Sequence, residues 1–324
     1  MTDVYSAVLE LVNFLIPVSL FAIVALGLNL QWGHTGLFNG GVAAFFGIGA
    51  YGAAILLTAN VPPSFYGPGH WGFSMPYAVA ALGAVVIAAY VGLLIAIPIL
   101  RLRADYFAIA TLALAETVRL VITNAENVTG GRVGIQEIPR PFDAFTAGKP
   151  ALSDGSIALL AVVLLLVSFV LLELLTRLPW GRVLRGIRED EEATLALGKN
   201  VYGFRLQAFV LGCAFMGLAG AVYASYHTTL SPDGFDALFT FTIYVMVILG
   251  GTGNNLGVIL GAFLYYSFDW VSVRLDDYLP DWLAPRFPNI RVMIIGAILV
   301  AFIIYRPEGI LKERKRTYAQ VKAR

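Results

Sequence analysis

The sequence predicts an all-α protein that threads the membrane about nine times. Three observations carry this. Only 13% of the 324 residues are charged and 58% are hydrophobic, whereas a soluble domain carries about 25% charged residues. The apolar residues gather in runs of about 20, the length a helix needs to cross the hydrocarbon core. Inside lipid, only a helix satisfies its own backbone groups in such a run without a partner strand.

The runs fall at about 9–31, 36–59, 76–100, 105–125, 155–176, 204–228, 236–251, 255–274 and 289–305. Residues 1–30 hold no Lys or Arg, so the first run lacks the basic lead of a cleaved signal segment and reads as a retained span. The second is crowded with Gly36, Gly40, Gly41, Gly47, Gly49 and Gly52. Small residues let helices approach closely but weaken the helix itself, so a break is expected there. The fourth carries Glu116 and Arg119, three apart on one face. They are expected to pair and neutralise each other inside the membrane, as packing or as polar lining of a path. Asn29, Gln31, Asn39 and Thr111 are further polar candidates for a path or for helix–helix contact. The fifth run has Glu173 near one end and the eighth has Asp269 near the other, both placed to reach water. The single cysteine, Cys213, excludes an internal disulfide, and His34, His70 and His227 show no metal-ligand spacing.

Charge sets the orientation. Fifteen of the twenty-two Lys and Arg residues fall in three segments: Arg101–Arg103, the 177–205 loop and the 306–324 tail. With nine spans all three lie on one side, which the excess of positive charge assigns to the cytoplasm. The C-terminus is then cytoplasmic and the N-terminus outside. The other side carries the longer irregular segments, 60–75, 126–154 and 275–288, with Tyr66, Trp71, Arg132 and Arg140 as candidates for docking a protein. Net charge is +1, which points to no nucleic acid.

The 177–203 loop is the longest helical polar island. Residues 182–200 contain no proline, and Glu189, Asp190, Glu191 and Glu192 are expected near the start of one short helix, where its dipole favours negative charge. Gly198 followed by Lys199 and Asn200 reads as its stop. Ile187, Leu195 and Leu197 offer apolar knobs.

Within this island, Glu192–Gly198 (EATLALG) resembles the EAA-type loop of ABC importer permeases. The blocks at Ala25–Tyr51, Tyr106–Ile135 with its Thr129-Gly130-Gly131 turn, Gly250–Leu264 and Arg306–Leu311 stand in the order found in one family. On these five blocks the chain resembles the Liv-type high-affinity branched-chain amino acid permeases, most closely the longer of the two permease subunits. Asn39-Gly40 and Asn254-Asn255 depart from the family pattern.

The resemblance implies a single transmembrane permease domain over 1–324 with a helical bundle like that of type II ABC importers. It implies a homologous permease partner, two ABC ATPases, an extracytoplasmic binding protein and a prokaryotic cytoplasmic membrane. It places ATPase coupling at Arg185, Arg188, Glu189, Asp190, Glu191, Glu192, Ala193, Leu195, Leu197 and Gly198. No phosphate loop with its lysine occurs in the sequence. ATP and Mg are therefore expected on the partner ATPases, with no cofactor and no catalytic residue in this chain. The runner-up is a urea or short-amide ABC permease. An ion-coupled carrier is the reading from another class, and it would need more intramembrane carboxylates than the spans offer.

Overall fold

A computed structural model describes residues 2–62, 69–142, 150–275, 286–306 and 308–313, and among these the regular structure is helical. Helix α1 (Thr2–Leu28) runs into a π-turn over Asn29–Gly33. After a non-helical stretch come α2 (Val42–Leu57), α3 (Tyr77–Ile99), α4 (Ala104–Asn124) and the single turn α5 (Glu126–Thr129). Then follow α6 (Pro150–Arg177), two short helices α7 (Pro179–Glu189) and α8 (Glu191–Ala196), and α9 (Val201–His227). The series closes with α10 (Ala237–Gly250), α11 (Asn255–Leu275) and α12 (Phe287–Tyr305).

Each of the nine predicted spans falls on a helix. Six are long and apolar enough to cross a membrane, while Val42–Leu57, Ala237–Gly250 and Asn289–Phe302 are shorter. The second span is a correction. It was expected to start near residue 36, but the helix begins at Val42 and the glycine-rich chain before it is not helical.

The centre of the bundle is α9, which packs on α2, α3 and α1. Small residues make this possible. Along α3, Ala80, Ala84, Ala88, Gly92 and Ala96 are buried, one every fourth residue, so a smooth stripe faces inward. Its other face exposes Leu82, Val86, Tyr90 and Leu94, as a lipid-facing surface does. A Cβ on Gly49 of α2 would strike the backbone of Gly217 on α9, so only glycine allows that approach. Around this seam Phe45, Phe46 and Phe209 fill the core.

The two ends differ. At the Lys/Arg-poor end the connecting segments are knitted by isolated bridges, Val61 with His70, His70 with Thr129 and Ile135 with Leu230. They form a cap over the helices. The Lys/Arg-rich end carries α7 and α8, the start of α9 and residues 308–313.

Candidate functional site

The π-turn, the chain after it and the helix beside it bury polar side chains at the heart of the bundle. Asn29, Gln31, Asn39 and Thr111 are all fully buried. They sit in two linked knots. In the first, Asn29 Nδ2 donates to Asn255 Oδ1 at 3.0 Å and the Gly253 amide donates to Asn29 Oδ1 at 2.8 Å. Asn255 Nδ2 in turn donates to Glu173 Oε2 at 3.0 Å, and His34 Nε2 lies 3.3 Å from Asn255 Oδ1. In the second, Asn39 Nδ2 donates to Gln31 Oε1 at 2.8 Å, and Gln31 Nε2 donates to the Phe209 carbonyl at 2.8 Å.

The second knot has a physical reason. A helix that starts inside a bundle leaves its first N–H groups without carbonyls. Here the Gly40 amide donates to Thr111 Oγ1 (2.9 Å), the Gly41 amide to Asn39 Oδ1 (2.8 Å) and the Ala43 amide to Thr240 Oγ1 (3.1 Å). Tyr244 OH donates to the Asn39 carbonyl at 3.1 Å. So α2 begins deep in the protein because side chains from α4, α10 and its own approach segment cap it. Sequence reasoning singled out Asn29, Gln31, Asn39 and Thr111 but missed Thr240, Tyr244 and the role of Asn255. An amide directly after a glycine turn and just inside an apolar run was the available signal for Asn255.

The island at the basic end is two helices, not the single helix expected. The break falls at Asp190, whose extended backbone (φ −154°, ψ 107°) ends α7 and whose carboxylate accepts from the Ala193 amide at 3.0 Å, capping α8. Glu191 and Glu192 open α8, where the dipole favours them, but Glu189 ends α7 instead. Gly198 has φ +74°, its amide bonds the Leu195 carbonyl (2.9 Å) and the Lys199 amide bonds the Thr194 carbonyl (3.4 Å). That pair of bonds is a Schellman stop.

Along α7 the residues sort by threes. Gly181, Leu184 and Ile187 are buried against the bundle, so Ile187 is an anchor rather than an exposed knob. Arg182, Arg185 and Arg188 lie on the next row and line a cavity. On α8 only Thr194 is buried, while Ala193, Glu192, Leu195 and Leu197 are exposed, Leu197 at 78%.

Three ties fix this island to the rest. Arg205 on α9 pairs with Glu191 at 2.7 Å. Arg185 donates to the Thr176 carbonyl on α6 at 3.3 Å. Arg188 donates to the Gly33 carbonyl at the end of the π-turn and pairs with Glu189 (2.7 Å) and Glu313 (2.8 Å). Arg188 therefore joins the island to the first polar knot. The cavity beside it, about 920 Å³, opens between α6, α7, the start of α11 and residues 311–313.

Glu116 and Arg119 do pair, with Arg119 Nε 3.0 Å from Glu116 Oε2. The expected burial is corrected: their side chains are 49% and 25% exposed on the face of α4. Arg119 also reaches toward Asp233, at 3.7 Å, near the cap. At the capped end Trp71 and Arg132 are exposed, whereas Arg140 is held by Asp154 at 2.7 Å. Tyr66 and the loops at 63–68, 143–149 and 276–285 lie outside the described residues, as does the tail from 314.

Residues 10–308 match the family model described as branched-chain amino acid transport system / permease component. The chain is 34% identical over 312 residues to the high-affinity branched-chain amino acid transport system permease protein LivM of Escherichia coli (strain K12), covering 90% of this chain and 68% of that protein. It is 28% identical over 328 residues to a probable branched-chain amino acid transport permease protein LivM of Methanocaldococcus jannaschii, covering 91% of each. It is 27% identical to the guanosine ABC transporter permease protein NupQ of Bacillus subtilis (strain 168), covering 90% of this chain and 91% of that one. No solved structure matches it.

Proposed function

We infer how this chain works from what it is: it belongs to the branched-chain amino acid transport system permease components, and is an ABC permease subunit of that family. In our reading it imports leucine, isoleucine or valine through a path shared with a homologous permease. Two ABC ATPases drive it from the cytoplasm, and a binding protein loads it from outside. The basic end is then cytoplasmic and the capped end external, with the N-terminus outside. A relative named as a guanosine ABC transporter permease keeps a second substrate class in view. The higher identity to LivM favours branched-chain amino acids here.

The observation that carries the mechanism is the double tie of the α7–α8 island. Its exposed side offers Leu195, Leu197 and the Glu192 carboxylate to a soluble partner. Its inner side holds the π-turn through Arg188 and α9 through Arg205. A push on α8 thus reaches the break between α1 and α2 and the central helix together. Switching the path between two sides needs such joint movement of several helices.

The Glu116–Arg119 pair supports a path along α4. A half-exposed ion pair on an apolar span is costly against lipid, so that face turns to a partner subunit or to water. The buried amides at 29, 31 and 39 hold the break open from within and leave substrate contact to that face.

Uptake of labelled leucine by proteoliposomes holding the whole importer tests the reading. Internal or external ATP on the ATPase side should be required, and ionophores that collapse ion gradients should have no effect. Uptake that survives without ATP but stops with ionophores would replace the importer by an ion-coupled carrier. Uptake of urea or guanosine in preference to leucine would move the substrate class alone.

A further inference from the structure

We propose that the 920 Å³ cavity at the basic end binds a phosphate-bearing anion, and that this anion is the headgroup of an acidic phospholipid from the adjoining leaflet. The proposal rests on the chain spanning the membrane, not on what it transports.

The lining is positive. Arg177, Arg182, Arg185, Arg188 and Lys312 face the cavity against three carboxylates. Two of those carboxylates, Glu189 and Glu313, are taken by Arg188, and the third, Glu173, is taken by Arg177 at 2.8 Å, while Lys312 is paired with Glu308 beside the cavity. Arg185 meets only the Thr176 carbonyl and no carboxylate among the described residues. Arginine forks match the oxygens of phosphate, and basic pockets between membrane helices suit such headgroups.

A second observation is independent. His34 lines the cavity at 3% exposure, and its Nδ1 is buried with no hydrogen-bond partner among the described residues. Because Nε2 faces the accepting Asn255 Oδ1, Nδ1 carries the lone pair and needs a donor, which a headgroup hydroxyl supplies and a bare phosphate oxygen does not.

The third is the surface above. Phe169 and Leu256 form an apolar wall of the cavity. From there, Leu166 and Val170 on α6 and Leu260 and Leu264 on α11 continue as exposed apolar ridges. Helices α6 and α11 both pack on α1 but barely on each other, so a furrow lies between them. Acyl chains fit that furrow while the phosphate enters the basic cavity. A zwitterionic amino acid, with no net charge, would gain little from this lining.

The test uses the complete purified importer, stripped of lipid and then titrated with dioctanoyl phosphatidylglycerol, dioctanoyl phosphatidylcholine or inorganic phosphate, read by native mass spectrometry. Phosphatidylglycerol is expected to be retained and phosphatidylcholine not. Arg182→Gln with Arg185→Gln should weaken retention at least tenfold, and the paired Lys variants should restore part of it. Unchanged retention in the Gln pair would overturn the site. Equal protection by inorganic phosphate alone would give the cavity to a free anion and overturn the lipid assignment. A photoreactive phosphatidylglycerol on the wild-type complex covers the case in which the Gln pair fails to fold. Label should map to 166–189 and 255–264, and label confined elsewhere would overturn the proposal.

Discussion

His34 shows how one side chain records its surroundings. Burial holds its pKa down, from 6.5 to about 4; the Asn255 contact opposes this, Arg185 and Arg188 on α7 add to it, and Glu173 on α6 opposes it. The folded protein therefore keeps the ring neutral where the unfolded chain would protonate it. Above about pH 7 the two states bind the same number of protons at this site, and stability is indifferent to pH. As pH falls from 6.5 toward 4 the unfolded state gains a proton first, and stability drops by up to about 3 kcal/mol at 1.36 kcal/mol per unit. His34→Gln should lack this part of the slope in melting temperatures of the purified complex between pH 8 and pH 5. Identical slopes in the two proteins would remove His34 as the source. Glu116 and Arg119 carry the second prediction at this scale. Because both are partly exposed, Glu116→Gln with Arg119→Met should leave the yield of folded protein near wild type while leucine uptake falls at least tenfold. A loss of folded yield that accounts for the lost uptake would return the pair to a structural part. Their i,i+3 pairing was readable from spacing alone. Their exposure was not, because which side of a span faces a neighbour is decided by helices elsewhere in the chain.

Among elements, α7 and α8 divide the labour. The first is anchored by Leu184 and Ile187, and the second presents its apolar residues outward. Leu197→Asp should reduce the ATPase that co-purifies with the complex while the melting temperature barely moves, since an exposed position away from caps changes stability by about 0.5 kcal/mol or less. Normal co-purification would take Leu197 off the docking face. Arg188→Gln should act differently: ATPase stays attached and hydrolyses ATP, but leucine moved per ATP falls several-fold, because the tie to Gly33 and Glu313 is cut. An unaltered ratio would show that the push travels through Arg205 instead. The Gly198 stop was legible, since a glycine before Lys-Asn at the end of a helical run has few other uses. The break at Asp190 was hidden because helix formers flank it on both sides. Only the extended backbone that lets its carboxylate cap Ala193 reveals it.

For the molecule as a whole, the nine apolar runs were readable because lipid admits little besides helix. What joins them was not. Asn29 and Asn255 lie 226 residues apart, and a one-dimensional pattern gives no sign that they touch. The cap was also out of reach, being made of single bridges between distant loops. It bears on how a binding protein would be received. With Arg140 already committed to Asp154, Arg132 is the one of the two candidate arginines still open to an external partner. Arg132→Glu should raise the apparent KM for loaded binding protein, more at low salt than at high, with ATPase activity in its absence unchanged. A KM that ignores ionic strength would clear Arg132 from that surface.

The seam between α2 and α9 has a mechanical meaning. An ordinary helix contact has slack, since side chains absorb small displacements by changing rotamer. Where Gly49 rests on the backbone of Gly217 there is no rotamer to change. The two helices either travel together or come apart, and coming apart would open the core around Phe45, Phe46 and Phe209. A load that reached the start of α9 through Arg205 would pass to α2 with little slack at this seam, and the break at the foot of α2 would be the place for the bundle to give.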